Sequence, residues 1–215
     1  MIESFIYPLL GQSISHDAYV DIDCSINHIG SQSVVDYETL DDFVNQIKKK
    51  ADARVAIGGY LERRNLYQAS DHFVNGPSRN IHLGVDLWID AGAHVYAPMA
   101  GVIHSFAYNP AYLDYGYALI LKHVHRGEVF FTLYGHLSSK YMSVWKRGMA
   151  IEAGSPIATI GDRHENGHWP PHLHFQMILD IGIYDGDYPG VCAEEDLTFY
   201  RRNCPDPSVL IKKGP

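Results

Sequence analysis

The chain has 215 residues, enough for one domain with a sizeable core, and a formal net charge of −8, which argues against a nucleic-acid binder. With 46% hydrophobic and 20% charged residues it has the make-up of an ordinary globular protein, and no apolar run approaches membrane-spanning length. Fifteen tyrosines, eight phenylalanines and three tryptophans favour a strand-rich body.

The first residues, Met1 to Gly11, carry no basic leader and no sustained apolar core, and Pro8 interrupts them, so a cytoplasmic address is expected. Cys24, Cys192 and Cys204 form no Cys-x-x-Cys pair and cannot complete a disulfide framework. Free thiols in a reducing compartment are expected, rather than a Cys192–Cys204 bridge.

Residues 1–78 read as an accessory segment, a small α/β extension. Thr39 is a candidate N-cap with Asp42 reaching back to it. Leu40, Phe43, Val44 and Ile47 then mark one apolar helix face, and Lys48 to Lys50 suit the C-terminal end of the dipole. Arg54 to Tyr60 reads as a short strand leading into a charged turn. Glu62, Arg63, Arg64 and Arg79 precede the first chemical motif. A surface ion-pair cluster is the plain reading, and an anchor for a substrate carboxylate the sharper one.

From residue 79 to about 180 the texture changes. Short β-type runs alternate with glycine turns: 85–89, 95–97, 102–106, 118–123, 129–133, 157–160 and 173–179, with a possible helical turn near 138–144. Ala91-Gly-Ala-His-Val-Tyr-Ala97 and Ala153-Gly-Ser-Pro-Ile-Ala-Thr159 echo each other. A mainly β, antiparallel architecture with an internal pseudo-repeat follows. Residues 181–215, rich in Gly, Pro and Asp, are expected to pack on this core as a tail.

Of the thirteen histidines, position selects a few. His82-Leu-Gly-Val-Asp86 sets an imidazole and a carboxylate four apart at a turn entering a strand, with Gly84 letting the backbone come close to a bound ion. His172 and His174, two apart in a strand, point to one face about 6.5–7 Å apart. One of the two suffices as a ligand, leaving the other beside a polarised water or a substrate oxygen. His136 ends another strand and can converge on the same place. Each motif alone is more often structural; together they point to a metal. Two imidazoles and a carboxylate with an open fourth position suit zinc. His164-Glu-Asn-Gly-His168 matches the zincin pattern, but Gly161, Gly167, Pro170 and Pro171 deny it a helix. It is expected to be a loop, with His168 and Trp169 on the rim of the site.

The three motifs resemble those of the lysostaphin-type zinc metallopeptidases. His82-Leu-Gly-Val-Asp86, Tyr134-Gly-His136-Leu and His172-Leu-His174-Phe stand in that family's order and spacing, joined by similar phrases such as Val95-Tyr-Ala-Pro98 and Ile157-Ala-Thr-Ile-Gly161. The likeness covers roughly residues 79–180. It implies a compact antiparallel β metallopeptidase core of the duplicated-hybrid-motif type, with one zinc ion held by His82, Asp86 and His174. It assigns His136 and His172 to catalysis, without deciding which is the general base. The family's usual activity is endopeptidase cleavage of cell-wall peptides.

Two departures stand out: Gly167-His-Trp-Pro-Pro171 precedes the last motif, and Gln176 occupies a place where an acid is common. The phrases 79–86 and 165–175 look most like a branch that also occurs beside kinase-like and class III aminotransferase-like domains. Arg79, Tyr134, His168 and Trp169 are the candidate substrate contacts. The expected partner is a peptide or small amide. A cytoplasmic zinc hydrolase of a small amide or ester, and a non-catalytic binding module on the same fold, are the rival readings.

Overall fold

The computed structural model describes residues 6–25, 36–64 and 78–215. The longest strands are β6 (Gly101–Asn109), β7 (Gly116–His125) and β8 (Glu128–Leu137). Only Arg126 and Gly127 separate β7 from β8. Both have positive φ, 52° and 88°, the geometry of a tight hairpin turn whose twist matches the strands it joins.

These strands belong to an eight-stranded sheet in the order β1-β2-β4-β11-β8-β7-β6-β9, with β1 (Tyr19–Asp21), β2 (Val55–Gly58), β4 (Val85–Trp88), β9 (Ala150–Ile151) and β11 (His172–Ile178). All pairings are antiparallel except β1 with β2. The mainly β, antiparallel expectation holds. The strands predicted between 85 and 179 all form, some with longer ends. The two echoing segments pair with each other: β5 (His94–Tyr96) lies antiparallel to β10 (Pro156–Thr159).

Period-two alternation sends neighbours to opposite faces of the large sheet. Leu87, Leu119, Tyr134, Leu173 and Phe175 pack in the main core on one face. Ile120, Leu133 and Ile178 pack on the other with Cys192 and Cys204 from the C-terminal part, which contains β12 (Val191–Cys192) and the short helix α2 (Leu197–Asn203). The tail therefore has structure of its own: β12 pairs with β3 (Ile81–His82).

The accessory helix, α1 (Tyr37–Lys50), begins earlier than expected. Asp36 is its N-cap and accepts a hydrogen bond from the Thr39 amide at 2.7 Å, so Thr39 lies inside the first turn. The predicted apolar face is the one used: Leu40 and Val44 are buried against Ile22, Ala56 and Trp88, with Phe43 and Ile47 partly buried beside them. Full burial of a Leu or Val side chain is worth about 1.5–3 kcal/mol, enough to hold this helix on the sheet. Trp88 thus packs beneath α1 at the edge of the surface that carries His172 and His174.

Candidate metal centre and active site

The sheet register brings the separated motifs together. In the β11·β4 ladder His174 stands opposite Asp86, and in the β11·β8 ladder it stands opposite Gly135. His82 reaches the same point from β3. One nitrogen each from His82 and His174 and one oxygen of Asp86 lie within 4.8 Å of one another, all buried. His82 Nε2 is 2.9 Å from His174 Nδ1, and Asp86 Oδ1 is 3.3 Å from each.

The outer partners decide the tautomers. His82 Nδ1 lies 2.9 Å from the Gly59 carbonyl, which can only accept, so this nitrogen carries the proton and Nε2 presents a lone pair. Gln176 donates from Nε2 to the Pro189 carbonyl at 3.1 Å, which turns its Oε1 toward His174 Nε2, 3.0 Å away. His174 therefore donates from Nε2 and presents a lone pair at Nδ1. Asp86 Oδ1 has no hydrogen-bond donor among the described residues. Two lone pairs and a bare carboxylate oxygen thus face one another with no donor between them, an arrangement that repels itself unless a cation sits there. Burial, with the Arg64 charge adding to it, pushes His82 down to about 4, so neither proton nor imidazolium fills that role near neutrality. The donor set fits zinc.

Arg64 is the residue that sequence reasoning misplaced. It is 2% exposed, and its Nη1 donates to Asp86 Oδ2 at 2.6 Å while its Nε donates to Glu62 Oε2 at 2.8 Å. Instead of a surface cluster, the half-buried Glu62 and the buried Arg64 brace Asp86, while Arg63 pairs outward with Glu194 at 2.5 Å. Burial alone would raise the Asp86 carboxyl, but His82 and Arg64 beside it hold it well below the ordinary carboxylate range. Gly84 serves the centre differently than expected. A Cβ there would meet the Phe175 carbonyl at 2.7 Å and His174 Nε2 at 2.8 Å, so the glycine makes room for the ring of His174.

His136 and His172 flank the trio. Their ring centroids are 4.2 Å apart, and His172 Nε2 is 3.9 Å from Asp86 Oδ1. His136 Nδ1 donates to the Asn166 carbonyl and His172 Nδ1 to the Pro170 carbonyl, each at 2.8 Å, which leaves both Nε2 atoms as bases. The His172 ring is stacked on Trp88, centroids 4.1 Å apart. Burial pushes His172 down to about 4 and His136 well below its ordinary value, so both are neutral bases at pH 7.

A cavity of about 190 Å³ opens over these groups, and Arg79, Tyr115 and Trp169 are among its lining residues. Of the candidate substrate contacts, Arg79 and Trp169 border it. Tyr134 and His168 are not among its described lining residues. Tyr134 is buried in the main core, its hydroxyl bonded to Thr132 at 3.0 Å. The strand alternation breaks between Tyr134 and His136, where His136 takes a φ of 62°, so the two side chains leave on opposite faces. His168 is exposed, in the loop expected for the zincin-like phrase, with its ring against Tyr112.

The sequence model of Peptidase family M23 matches residues 80–183. Among solved structures, a zinc-containing peptidase from Vibrio cholerae is 28% identical, over 51% of this chain and 32% of that one, with a TM-score of 0.40. The antimicrobial peptidase lysostaphin from Staphylococcus simulans is 23% identical, over 60% of this chain and 43% of that one, with a TM-score of 0.43. Its catalytic domain alone is 25% identical, over 57% of this chain and 80% of that domain, with a TM-score of 0.40. The chain thus spans less than half the length of the first two. No curated protein matches it.

Proposed function

We propose that the chain, whose residues 80–183 match the model of Peptidase family M23, is a member of that family and a zinc-dependent hydrolase of peptide or amide bonds, peptidoglycan endopeptidase-like in its chemistry. The observation that carries this reading is the convergence of two imidazole lone pairs and a bare carboxylate oxygen within 4.8 Å. His82, Asp86 and His174 hold one zinc ion. When bound, zinc supplies Lewis acidity toward a carbonyl and toward water.

The remaining steps belong to the chain. His136 and His172, each with Nδ1 tied to a backbone carbonyl, present Nε2 to the cavity as bases. One takes the proton of an attacking water and returns it to the leaving amine. The other, its Nε2 likewise a lone pair, accepts a hydrogen bond from the same water and orients it for attack. Residues 79–180 are the catalytic core, 1–78 an accessory segment and 181–215 a tail that packs on it.

A cytoplasmic address is part of the proposal. Three free, buried cysteines suit a reducing compartment, and no helix among the described residues is long and apolar enough to cross a membrane. Separate assay of the soluble fraction and the medium tests that address.

The deciding experiment measures zinc per chain in the wild type, Asp86→Ala and His136→Ala, beside hydrolysis of short peptides. One zinc in the wild type, lost in Asp86→Ala and kept in an inactive His136→Ala, supports the reading. A wild type that takes up no zinc at neutral pH overturns it in favour of a binding module.

A further inference from the structure

The outer support of His174 leads into the C-terminal segment, beyond the residues that match the family model. Gln176, two residues on along β11 and fully buried, accepts from His174 Nε2 at 3.0 Å. Its amide nitrogen has two hydrogens and two acceptors, the Pro189 carbonyl at 3.1 Å and Cys204 Sγ at 3.3 Å. A flipped amide would set Oε1 against the Pro189 carbonyl, acceptor facing acceptor, so the tail fixes which way Gln176 points. The Tyr115 hydroxyl, a longer 3.5 Å from the same His174 nitrogen, donates to the Tyr188 carbonyl at 3.1 Å. Both of these neighbours hand on to residues 188–204.

That part of the tail is itself fastened just past the end of β11, and the buried Asn203 is the clasp. Its carbonyl accepts from the Leu179 amide at 2.8 Å and its Oδ1 from the Asp180 amide at 2.9 Å. Its Nδ2 donates to the Asp180 carbonyl at 2.8 Å and to the Tyr188 hydroxyl at 2.7 Å. Cys204 follows at once. Its amide donates to the Tyr200 carbonyl at 2.6 Å, closing the last turn of α2, and its carbonyl accepts from the Tyr60 hydroxyl at 2.9 Å. The thiol is therefore presented to Gln176 from a set position, in a place where an unpaired amide hydrogen is costly.

We infer that the C-terminal segment is part of the metal centre: Gln176 is a positioning residue that ties the coordination of His174 to the packing of residues 188–204. The inference rests on the zinc reading above and extends it to what sets the strength of metal binding. Released from Pro189 and Cys204, Gln176 could turn its Nε2 toward His174, and the ligand would lose the partner that fixes its tautomer. The coupling runs both ways. A fastened tail aims His174, and a metal that holds His174 must in turn fasten the tail.

The test measures zinc affinity by chelator competition, and amide hydrogen exchange with and without saturating zinc, on the full chain. In the wild type, zinc is expected to slow exchange at residues 200–204 as well as in β11, although no residue of 200–204 belongs to the trio. Gln176→Leu keeps most of the bulk and removes the amide. Its zinc affinity is expected to fall about tenfold or more. The slowing at 200–204 should vanish in it, while that in β11 stays. Cys204→Ala should weaken zinc binding in the same direction, and Cys204→Ser, which restores an acceptor for Gln176, should recover it. A residue that merely filled space would show no such recovery. Should Gln176→Leu not fold, the two Cys204 variants decide.

Exchange at residues 200–204 that ignores zinc in the wild type, or an unchanged zinc affinity in Gln176→Leu, overturns the inference and leaves the zinc reading standing. Equal zinc affinity in Cys204→Ala and the wild type does the same. A wild type that takes up no zinc fails the metal reading itself, and the inference falls with it.

Discussion

Arg64 Nη1 lies 2.6 Å from Asp86 Oδ2, and both side chains are 2% exposed. The guanidinium occupies one carboxylate oxygen and leaves the other, Oδ1, to face His82 and His174. Its second contact, to Glu62, fixes the angle of approach. Arg64→Met removes the positive partner of a buried carboxylate and is expected to cost about 3 kcal/mol or more in stability. Zinc affinity should fall about tenfold or more, because a ligand has lost its outer support. Arg64→Lys keeps the charge without the fork and should lie between. Chemical denaturation and a competition titration with a zinc chelator measure the two effects.

His172→Ala and His136→Ala should each lower kcat by about 10²–10⁴-fold with zinc retained. Neither ring belongs to the buried trio, and each is held by its own backbone carbonyl rather than by a ligand. Metal analysis beside steady-state kinetics checks this. Zinc loss from His172→Ala would move that residue from proton transfer to ligation.

Gly84→Ala is a one-carbon change with a disproportionate expected effect. The added methyl would stand 2.7 Å from the Phe175 carbonyl and 2.8 Å from His174 Nε2, where no Cβ can remain without displacing backbone or ligand. The variant should lose zinc and unfold at lower temperature than the wild type. Metal content and a thermal scan are sufficient to decide. Unchanged zinc would show that the β4–β11 ladder can give way.

The three thiols should be inert in the native protein. Cys24, Cys192 and Cys204 are free and buried, and burial pushes them up to about 12, about 12 and about 11. At pH 8 all three lie far on the protonated side, and the thiolate is the reactive form. A thiol-reactive dye should therefore find almost nothing until denaturant is added, and then three groups per chain.

The convergence of His82, Asp86 and His174 was legible in the sequence because each sits in a short motif with a characteristic spacing and order. The long strands were legible because alternation and glycine turns extend over enough residues to be read. Strands β1, β3, β9 and β12, two or three residues each, are too short to show a period. The helix start was displaced because Asp36 and Thr39 are both good caps, and only the packing of Leu40 and Val44 selects between them.

Arg64 reads as part of a surface ion-pair cluster because a charged turn looks solvated in one dimension; its burial depends on Asp86 and His82, contributed by later strands. Tyr134 was chosen for its closeness to His136, and the reversal of alternation between them carries no signal beyond Gly135.

The three acceptors of the metal centre are drawn from positions as far as 92 residues apart and become a group only when the chain is folded. A cation bound there is a ligand of the native state, so its free concentration enters the folding equilibrium. Above the dissociation constant, each tenfold rise in free zinc adds about 1.4 kcal/mol to the free energy of unfolding. With zinc bound at this centre, resistance to unfolding therefore follows the free zinc concentration around the protein.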